Sequence, residues 1–233
     1  MCVRYTLHNL EAALSAIARA LDRQFASPEW ARPKHNITLT HVVSTVAISD
    51  GEPVVRGMAW GLVPPYAGGA AQLMPNAAAE KAASSPAFRE ATATRRCLVP
   101  ANGFYEWATA GKLKLPHLFT LRDEEPFAFA GIWSPRADAD LPPAFAILTT
   151  VPNELVAPIH HRMPVILTRE TMPRWIGTAP LPAAEYHALT RPLDYRRMQQ
   201  RPVSRFVNNS RNDGPQCLAP AEPDFAEPEL DFS

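Results

Sequence analysis

The chain has 233 residues, 46% of them apolar, and its 23 basic and 23 acidic residues give a formal net charge of zero. This length predicts one large domain with a substantial core, and the charge balance excludes a generally basic nucleic-acid binder, so any phosphate site must be a local patch. Three scattered cysteines argue against a disulfide framework and a zinc site, no apolar run reaches the roughly 18 residues of a membrane span, and the start lacks a secretory signal, so we expect a reducing, cytoplasmic setting.

Hydrophobic spacing predicts a first helix over residues 10–24, with Asn9 as its amino-terminal cap. Segments rich in Val, Ile and Thr at 36–49 and 52–64 predict strands. The stretch NAAAEKAASSPAFREA predicts short helices on either side of Pro86, starting at Asn76. Further strands are predicted in RCLVPANGFYEWAT, LPHLFTLR, PFAFAGIWS, AFAILTTVP and MPVILT, and small helices in RETMPRWI and PAAEYHALT.

This pattern of many strands with few helices predicts a mixed α+β fold. We expect a curled, mainly antiparallel β-sheet or barrel core flanked by short helices. The domain is predicted over residues 2–219. Residues 220–233 are acidic, contain proline and have little apolar content, so we predict that they form a flexible tail.

Cys2 is the second residue, so removal of Met1 would leave a free α-amine and a thiol on adjacent carbons. The α-amine has a pKa of about 8 and the thiol of about 8.5, so both are partly reactive at neutral pH. An aldehyde could form a Schiff base with the amine, after which the thiol would close a five-membered thiazolidine ring. The same thiol could instead attack an amide, as in N-terminal-nucleophile hydrolases, or be a small buried side chain.

Two motifs place ionisable side chains among apolar residues. In ANGFYEW, residues 101–107, Glu106 lies between aromatic residues. It is either solvent-facing on a half-buried strand or held in a cleft, where apolar walls would raise its pKa and suit it to proton transfer. In IHHRMPVIL, residues 159–167, the simple interpretation is a polar loop before a strand. The functional one needs a single histidine in the cleft, with Arg162 as a candidate phosphate contact.

Four further features also have a structural and a functional interpretation. Asn76 could cap the alanine-rich helix, Arg4 could be a surface charge, and VNNSRNDGP at 207–215 could be a polar turn. Trp60 in AWGLVP is expected in the core near a turn, although a tryptophan beside a groove could stack on a nucleobase.

Taken in order, these motifs resemble one known family. MCxR at the start, WGLVP, NAxxE, GFYEW, IHxRMPVIL and VNNxRND are similar to the SOS response-associated peptidase (SRAP) family over about residues 2–219. The resemblance implies a single α+β domain with a barrel-like core and a positively charged groove for single-stranded DNA. Members of the family form a covalent crosslink to abasic sites and so shield the lesion.

The resemblance also implies roles for individual positions. Cys2 matches the linking residue, after removal of Met1. His160 rather than His161 is carried over, because His161 stands where the family usually has aspartate. The other matched positions are Asn76, Glu106 and His160 in the active site, and Arg4 and Arg162 in holding the DNA backbone.

The chain departs from the family pattern mainly among the residues that hold DNA. Val3 replaces the usual glycine, Ala78 replaces an arginine expected to contact phosphate, and Ala59 stands where an arginine commonly precedes WGL. PPYAGG replaces a tryptophan-containing stretch that helps wedge DNA in relatives, where we expect Tyr66 to serve in part. Trp60 stays the candidate for stacking on a nucleobase. The resemblance therefore supports crosslinking chemistry better than DNA affinity.

These observations lead to one expected mechanism. The Cys2 amine attacks the aldehyde of an abasic site while Glu106 and His160 move protons, and no metal or other cofactor is needed. Arg4 and Arg162 anchor the flanking phosphates. The Schiff base would also permit strand cleavage by β-elimination. Two routes to the removal of Met1 stay open, namely autoproteolysis, which the family name reflects, and an ordinary aminopeptidase.

Two alternatives remain open at this stage. One is a cysteine amidohydrolase that uses Cys2 as an N-terminal nucleophile on glutamine-like amides. The other is a non-covalent single-stranded-DNA-binding module. In the main interpretation the partner is single-stranded DNA with abasic sites. We then expect a monomer that binds no membrane and associates with the nucleoid when it engages DNA.

Overall fold

The computed structural model describes residues 3–64 and 73–222. The first half of this described chain contains β1 (Tyr5–Leu7), α1 (Leu10–Leu21), β2 (Lys34–Ile37), β3 (Val42–Ser49), β4 (Glu52–Trp60), β5 (Asn76–Ala78), α2 (Ala79–Ala82), α3 (Arg89–Thr94), β6 (Arg96–Ala101) and β7 (Gly103–Ala110). The second half contains β8 (Leu113–Leu121), β9 (Phe127–Ser134), β10 (Ala144–Thr150), β11 (Met163–Pro164), β12 (Ile166–Leu167), α4 (Met172–Trp175), α5 (Ala183–Leu189), β13 (Met198–Pro202) and 3₁₀ helices at Tyr195–Arg197, Arg205–Asn208 and Pro215–Leu218.

Helix α1 confirms the prediction of an amphipathic first helix. The Asn9 side chain accepts a hydrogen bond of 3.1 Å from the Ala12 N–H, which satisfies one of the helix's unpaired donors. The helix ends at Leu21, three residues before the predicted end, because Asp22 adopts a left-handed conformation with a φ of 52°. Its apolar face is buried.

The larger sheet closes on itself into a small barrel. β4 pairs with β3, β3 with β6, β6 with β9 and β9 with β10, all antiparallel, and β10 returns to β4 through a parallel pairing. β5, β11 and β12 extend β10 and β9 beyond this ring. The prediction of a mainly antiparallel barrel in an α+β fold is therefore confirmed.

The second sheet has the strand order β13-β8-β7-β1-β2 and packs against the barrel through aromatic rings. The Tyr5 ring lies 5.3 Å from the ring of Trp60 and 5.5 Å from that of Phe129, in edge-to-face geometry. Phe104 on β7 also lies 6.3 Å from Phe129, in edge-to-face geometry. Such pairs bury large apolar surfaces in a fixed geometry, so the position of β1 relative to the barrel is closely set.

The chain passes from the barrel to the second sheet at Asn102–Gly103, between β6 and β7. The Asn102 side chain accepts a 2.9 Å hydrogen bond from the Asn9 N–H, and the Asn102 backbone N–H donates to the Thr6 carbonyl. A Cβ at Gly103 would lie 2.7 Å from the Phe119 carbonyl oxygen, so only glycine allows β7 and β8 to approach this closely.

Several predicted boundaries are wrong in detail. The first of the two short helices begins at Ala79 and not at Asn76, because Asn76 is the first residue of β5 and pairs in parallel with Ile147. MPVILT forms two short strands and not one, and β13 was not predicted. Across the described residues, no helix combines the length and apolar character needed to cross a membrane. Of the predicted tail, residues 223–233 lie outside the described ranges.

Candidate active site

Glu106 is a buried carboxyl group on β7. Strand alternation places it on the same face as Phe104, which packs between the two sheets, and its side chain is 4% exposed. Among the residues that the structure describes, none donates a hydrogen bond to Glu106 Oε1. Burial raises the pKa of Glu106 to about 7, because the charged form has lost its water. The carboxyl can therefore both donate and accept a proton near neutral pH.

The main chain of Arg4 runs beside β7 next to Tyr105, the residue before Glu106. Its side chain lies on the face of β7 that carries Tyr105 and Trp107, opposite to the face of Glu106. The Tyr105 N–H donates a 3.0 Å hydrogen bond to the Arg4 carbonyl. The Arg4 guanidinium donates to Asn36 Oδ1 at 2.9 Å and to the Val207 carbonyl at 2.8 Å. Burial lowers its pKa, yet a guanidinium remains charged at any physiological pH. Arg4, the predicted phosphate contact, is therefore a charged side chain whose orientation is set by its bonds to Asn36 and Val207.

The segment VNNSRND clamps β2 and β7, so the interpretation as a simple polar turn is incomplete. Asn36, 1% exposed, donates to the carbonyls of Asn209 and Asn212 at 3.1 and 2.8 Å. Asn208 Oδ1 accepts a 2.7 Å hydrogen bond from the Trp107 indole. The Arg4 guanidinium carbon lies 5.5 Å from the centre of the Trp107 ring.

Sequence reasoning missed two residues of this cluster. Trp107 was not predicted as a site residue, although its place one residue after Glu106 in GFYEW was a usable signal. Asn36 had no local signal, because the carbonyls to which its amide donates lie more than 170 residues away along the chain.

Asn76 is held at the rim of the barrel. It is 8% exposed and begins the short parallel pairing of β5 with β10. The carbonyl of the preceding Pro75 accepts a 2.8 Å hydrogen bond from the Trp60 indole, and Pro75 also accepts from the Ile147 N–H at 3.0 Å. These two bonds to Pro75 and the pairing with β10 hold the main chain at Asn76 in place.

His160 sits in a tight loop between β10 and β11. Its Nδ1 lies 3.0 Å from both the N–H and the carbonyl oxygen of Arg162. A neutral ring can accept from that N–H, and a protonated ring can donate to that carbonyl, so the imidazole keeps its orientation in either state. Burial lowers the pKa of His160. Its ring stacks on that of His161 at 4.4 Å.

Arg162 forms a bidentate ion pair across the rim. Its two Nη atoms donate to the Glu80 carboxylate at 3.0 and 2.8 Å, and Nη2 also donates to the Thr149 carbonyl at 2.6 Å. The Arg162 side chain is 18% exposed and that of Glu80 47%. Hydrogen bonding from Arg162 lowers the pKa of Glu80. Arg162, which the sequence predicts as a phosphate contact, is therefore already paired with a carboxylate of its own chain.

The position of Trp60 in the structure contradicts the prediction that it stacks on a nucleobase. The side chain is fully buried, its indole N–H is satisfied by Pro75, and its ring stacks in parallel on Phe145 at 6.3 Å. The alternation of β4 turns it into the barrel, which the sequence could not distinguish from the groove. Two other predicted residues, Cys2 and Tyr66, lie outside the described ranges.

The rings of Tyr5 and Trp60 connect the two halves of the site. One half, with Arg4 and Glu106, belongs to the second sheet, and the other contains Asn76 at the barrel rim. Tyr5 on β1 contacts Trp60, whose indole is bonded to the residue before Asn76. In the described part of the chain, no group of three or more His, Cys, Asp or Glu side chains is arranged to hold a metal ion.

Comparison with known proteins adds the family context. The profile described as SOS response associated peptidase (SRAP) matches residues 1–210. The chain is 34% identical over 224 residues to abasic site processing protein YoqW of Bacillus subtilis (strain 168), covering 94% of this chain and 99% of that protein. It is 35% identical over 150 residues to abasic site processing protein HMCES of Gallus gallus, covering 55% and 44%.

Solved structures agree with this match. A crystal structure of a protein from Bacteroides thetaiotaomicron superposes with a TM-score of 0.81 at 28% identity, covering 95% of this chain and 100% of that one. The family profile extends over nearly the whole described domain. The chain belongs to the SOS response associated peptidase (SRAP) family.

Proposed function

We propose that this protein recognises abasic sites in single-stranded DNA and captures them covalently as a thiazolidine through Cys2. Two relatives that match the chain are named abasic site processing proteins. An abasic sugar opens to an aldehyde, which is the group that an adjacent amine and thiol trap together. The chemistry needs Met1 removed, because only then does residue 2 carry a free amine.

The observation that most directly supports this mechanism is the burial of the Glu106 carboxyl group on the strand that pairs with the start of the chain. β1 runs antiparallel to β7, and Arg4 is bonded to Tyr105, the residue before Glu106. Cys2 is two residues from Arg4, a span of at most about 7 Å. The proposal requires this short segment to bring the amine of a processed terminus to Glu106.

The reaction balances with release of one water. The Cys2 amine nitrogen bonds to the aldehyde carbon, and Glu106 relays one of the two nitrogen protons to the carbonyl oxygen, which becomes a hydroxyl group. The carboxylate of Glu106 then takes the second proton from the nitrogen. The protonated carboxyl group returns it to the departing hydroxyl, leaving a Schiff base. The Cys2 sulfur then adds to the C=N carbon, and the nitrogen takes up the thiol's proton. A pKa of about 7 suits Glu106 to both transfers.

His160 and Asn76 have supporting roles in this proposal. The sugar ring opens when its hydroxyl loses a proton, and the neutral imidazole of His160 takes it. Asn76 orients the sugar or the terminal backbone from its fixed place on the barrel rim. Arg4 and Arg162 bind the flanking phosphates, a contribution that weakens with salt. The same Schiff base permits β-elimination, a lyase side reaction.

The decisive experiment uses single-stranded DNA that carries one abasic site. The wild-type protein should give a heat-stable shifted band on a denaturing gel, and intact-mass analysis of that protein should find Met1 absent. Cys2→Ala keeps an amine, so it should give an adduct only after borohydride reduction. DNA with a tetrahydrofuran analogue lacks the aldehyde and should give no band with either protein.

Two results would overturn the proposal. One is an equally stable unreduced adduct with Cys2→Ala, because no ring can close without the thiol. The other is a mature protein that still begins with Met1 and nevertheless crosslinks. Release of ammonia from glutamine by a wild-type protein that forms no adduct would favour the amidohydrolase instead.

A further inference from the structure

We propose that Glu80 is a positioning residue that competes with DNA phosphate for Arg162. This inference rests on the proposed function, because it concerns the arginine assigned to the DNA backbone. In the structure that arginine is bonded to a carboxylate of its own chain.

The geometry of the pair matches the way in which arginine binds phosphate. Both Nη atoms of Arg162 donate to separate oxygens of Glu80, in the parallel two-point arrangement that carboxylates and phosphates share. The two residues are 82 positions apart and come from α2 and the β10–β11 loop. The Glu80 side chain is 47% exposed, so solvent and ligands reach the carboxylate.

The Thr149 carbonyl gives Arg162 a second hydrogen-bond partner that does not depend on Glu80. The Arg162 Nη2 also donates to the Thr149 carbonyl at 2.6 Å, and that bond lies on β10 within the barrel. It can persist when the carboxylate leaves, so the guanidinium stays at the rim while its exposed edge changes partner. A phosphate that binds there must displace Glu80 or share the guanidinium with it, and either costs Coulomb energy.

Replacing the carboxylate by an amide tests this competition. Glu80→Gln keeps the size and one acceptor oxygen but removes the charge that opposes a phosphate. We expect it to bind single-stranded DNA about two- to fivefold more tightly than wild type at low salt, the range of a partly exposed ion pair. The slope of log K against log salt should steepen by up to about 0.7, one additional phosphate contact on a single strand.

Glu90→Gln is the matched control. Glu90 pairs with Arg95 at 2.7 Å, so this variant makes the same chemical change and the same change in net charge at another arginine. Affinity should be measured by fluorescence anisotropy on DNA with a tetrahydrofuran site, which cannot crosslink. Thermal melts establish that each variant is folded, and Glu80→Asp, which keeps the charge, should retain the wild-type slope.

The measurements distinguish competition by Glu80 from a purely structural role of its carboxylate. Equal affinities and slopes for Glu80→Gln and Glu90→Gln, or weaker binding by Glu80→Gln, would show that Glu80 only fastens α2 to the rim. In the double variant Glu80→Gln/Arg162→Gln the gain should vanish; a persisting gain would exclude Arg162 as its origin. If the wild type crosslinks but Glu80→Gln is unchanged, this inference alone fails. A wild type that neither binds nor crosslinks overturns the proposed function as well.

Discussion

Replacing Glu106 by glutamine should stabilise the protein at high pH while slowing its chemistry. The folded state raises the pKa of this carboxyl group from 4.5 to about 7, so it binds the proton more tightly than the unfolded chain does. Its contribution to stability is therefore complete below pH 4.5 and is lost as the pH rises to 7. A tenfold change in proton affinity is worth about 1.4 kcal/mol, so at pH 8 the buried carboxylate costs about 3 kcal/mol.

Glutamine at position 106 is neutral at every pH and has nearly the same shape. The free energy of unfolding of Glu106→Gln should therefore equal that of wild type within about 1 kcal/mol at pH 4.5 and exceed it by about 3 kcal/mol at pH 8. Urea unfolding at the two pH values measures this difference, with equal m-values as the check for two-state behaviour. Glu29→Gln, at an exposed position, should change stability by less than about 0.5 kcal/mol at both.

The same variant should crosslink abasic DNA more slowly, because an amide cannot relay a proton. A Glu106→Gln protein that is less stable than wild type at pH 8, or that gains the same amount at both pH values, would refute the reasoning. The first result would mean that partners stabilise the carboxylate, and the second that the gain does not come from ionisation of the buried group.

Three other substitutions test the framework of the site. Asn36→Ala removes the buried amide that bonds to Arg4, and urea unfolding should show a loss of about 2–3 kcal/mol; a loss below 1 kcal/mol would contradict its role as a clamp. Gly103→Ala should lose about 2 kcal/mol in the same assay, and wild-type stability would mean that β7 and β8 can separate freely. Asn208→Ala should lose about 1 kcal/mol and alter Trp107 fluorescence; an unchanged spectrum would argue against the indole hydrogen bond.

Local signals in the sequence predicted the elements well where neighbours along the chain determine them. The cap at Asn9 and the apolar face of α1 depend on residues within a few positions, and both are confirmed. Asn76 shows the limit of this reasoning. An asparagine before an alanine-rich stretch is typical of a helix start, but pairing with Ile147, about 70 residues later, makes it a strand residue instead.

The side chains of the candidate site were found by motif, whereas their partners were not. Glu106 could be solvent-facing or buried until the packing of Phe104 fixed which side of β7 faces the barrel. Trp60 illustrates the opposite case, where a plausible functional residue turned out to be core. The contact between Glu80 and Arg162 joins distant segments, and neither residue carries a local signal for the other.

The way the fold treats its charges bears on how such a protein could retain DNA. Arg4 and Arg162 both donate hydrogen bonds to groups of the protein itself. Because the formal net charge is zero, the long-range attraction of the protein to DNA phosphates is weak. Glu106, in contrast, is kept desolvated at a cost in stability. Under the proposed function, the free energy that retains the DNA comes from covalent bond formation at the lesion and not from binding to the strand. Undamaged DNA would then dissociate readily, and only an aldehyde would be held.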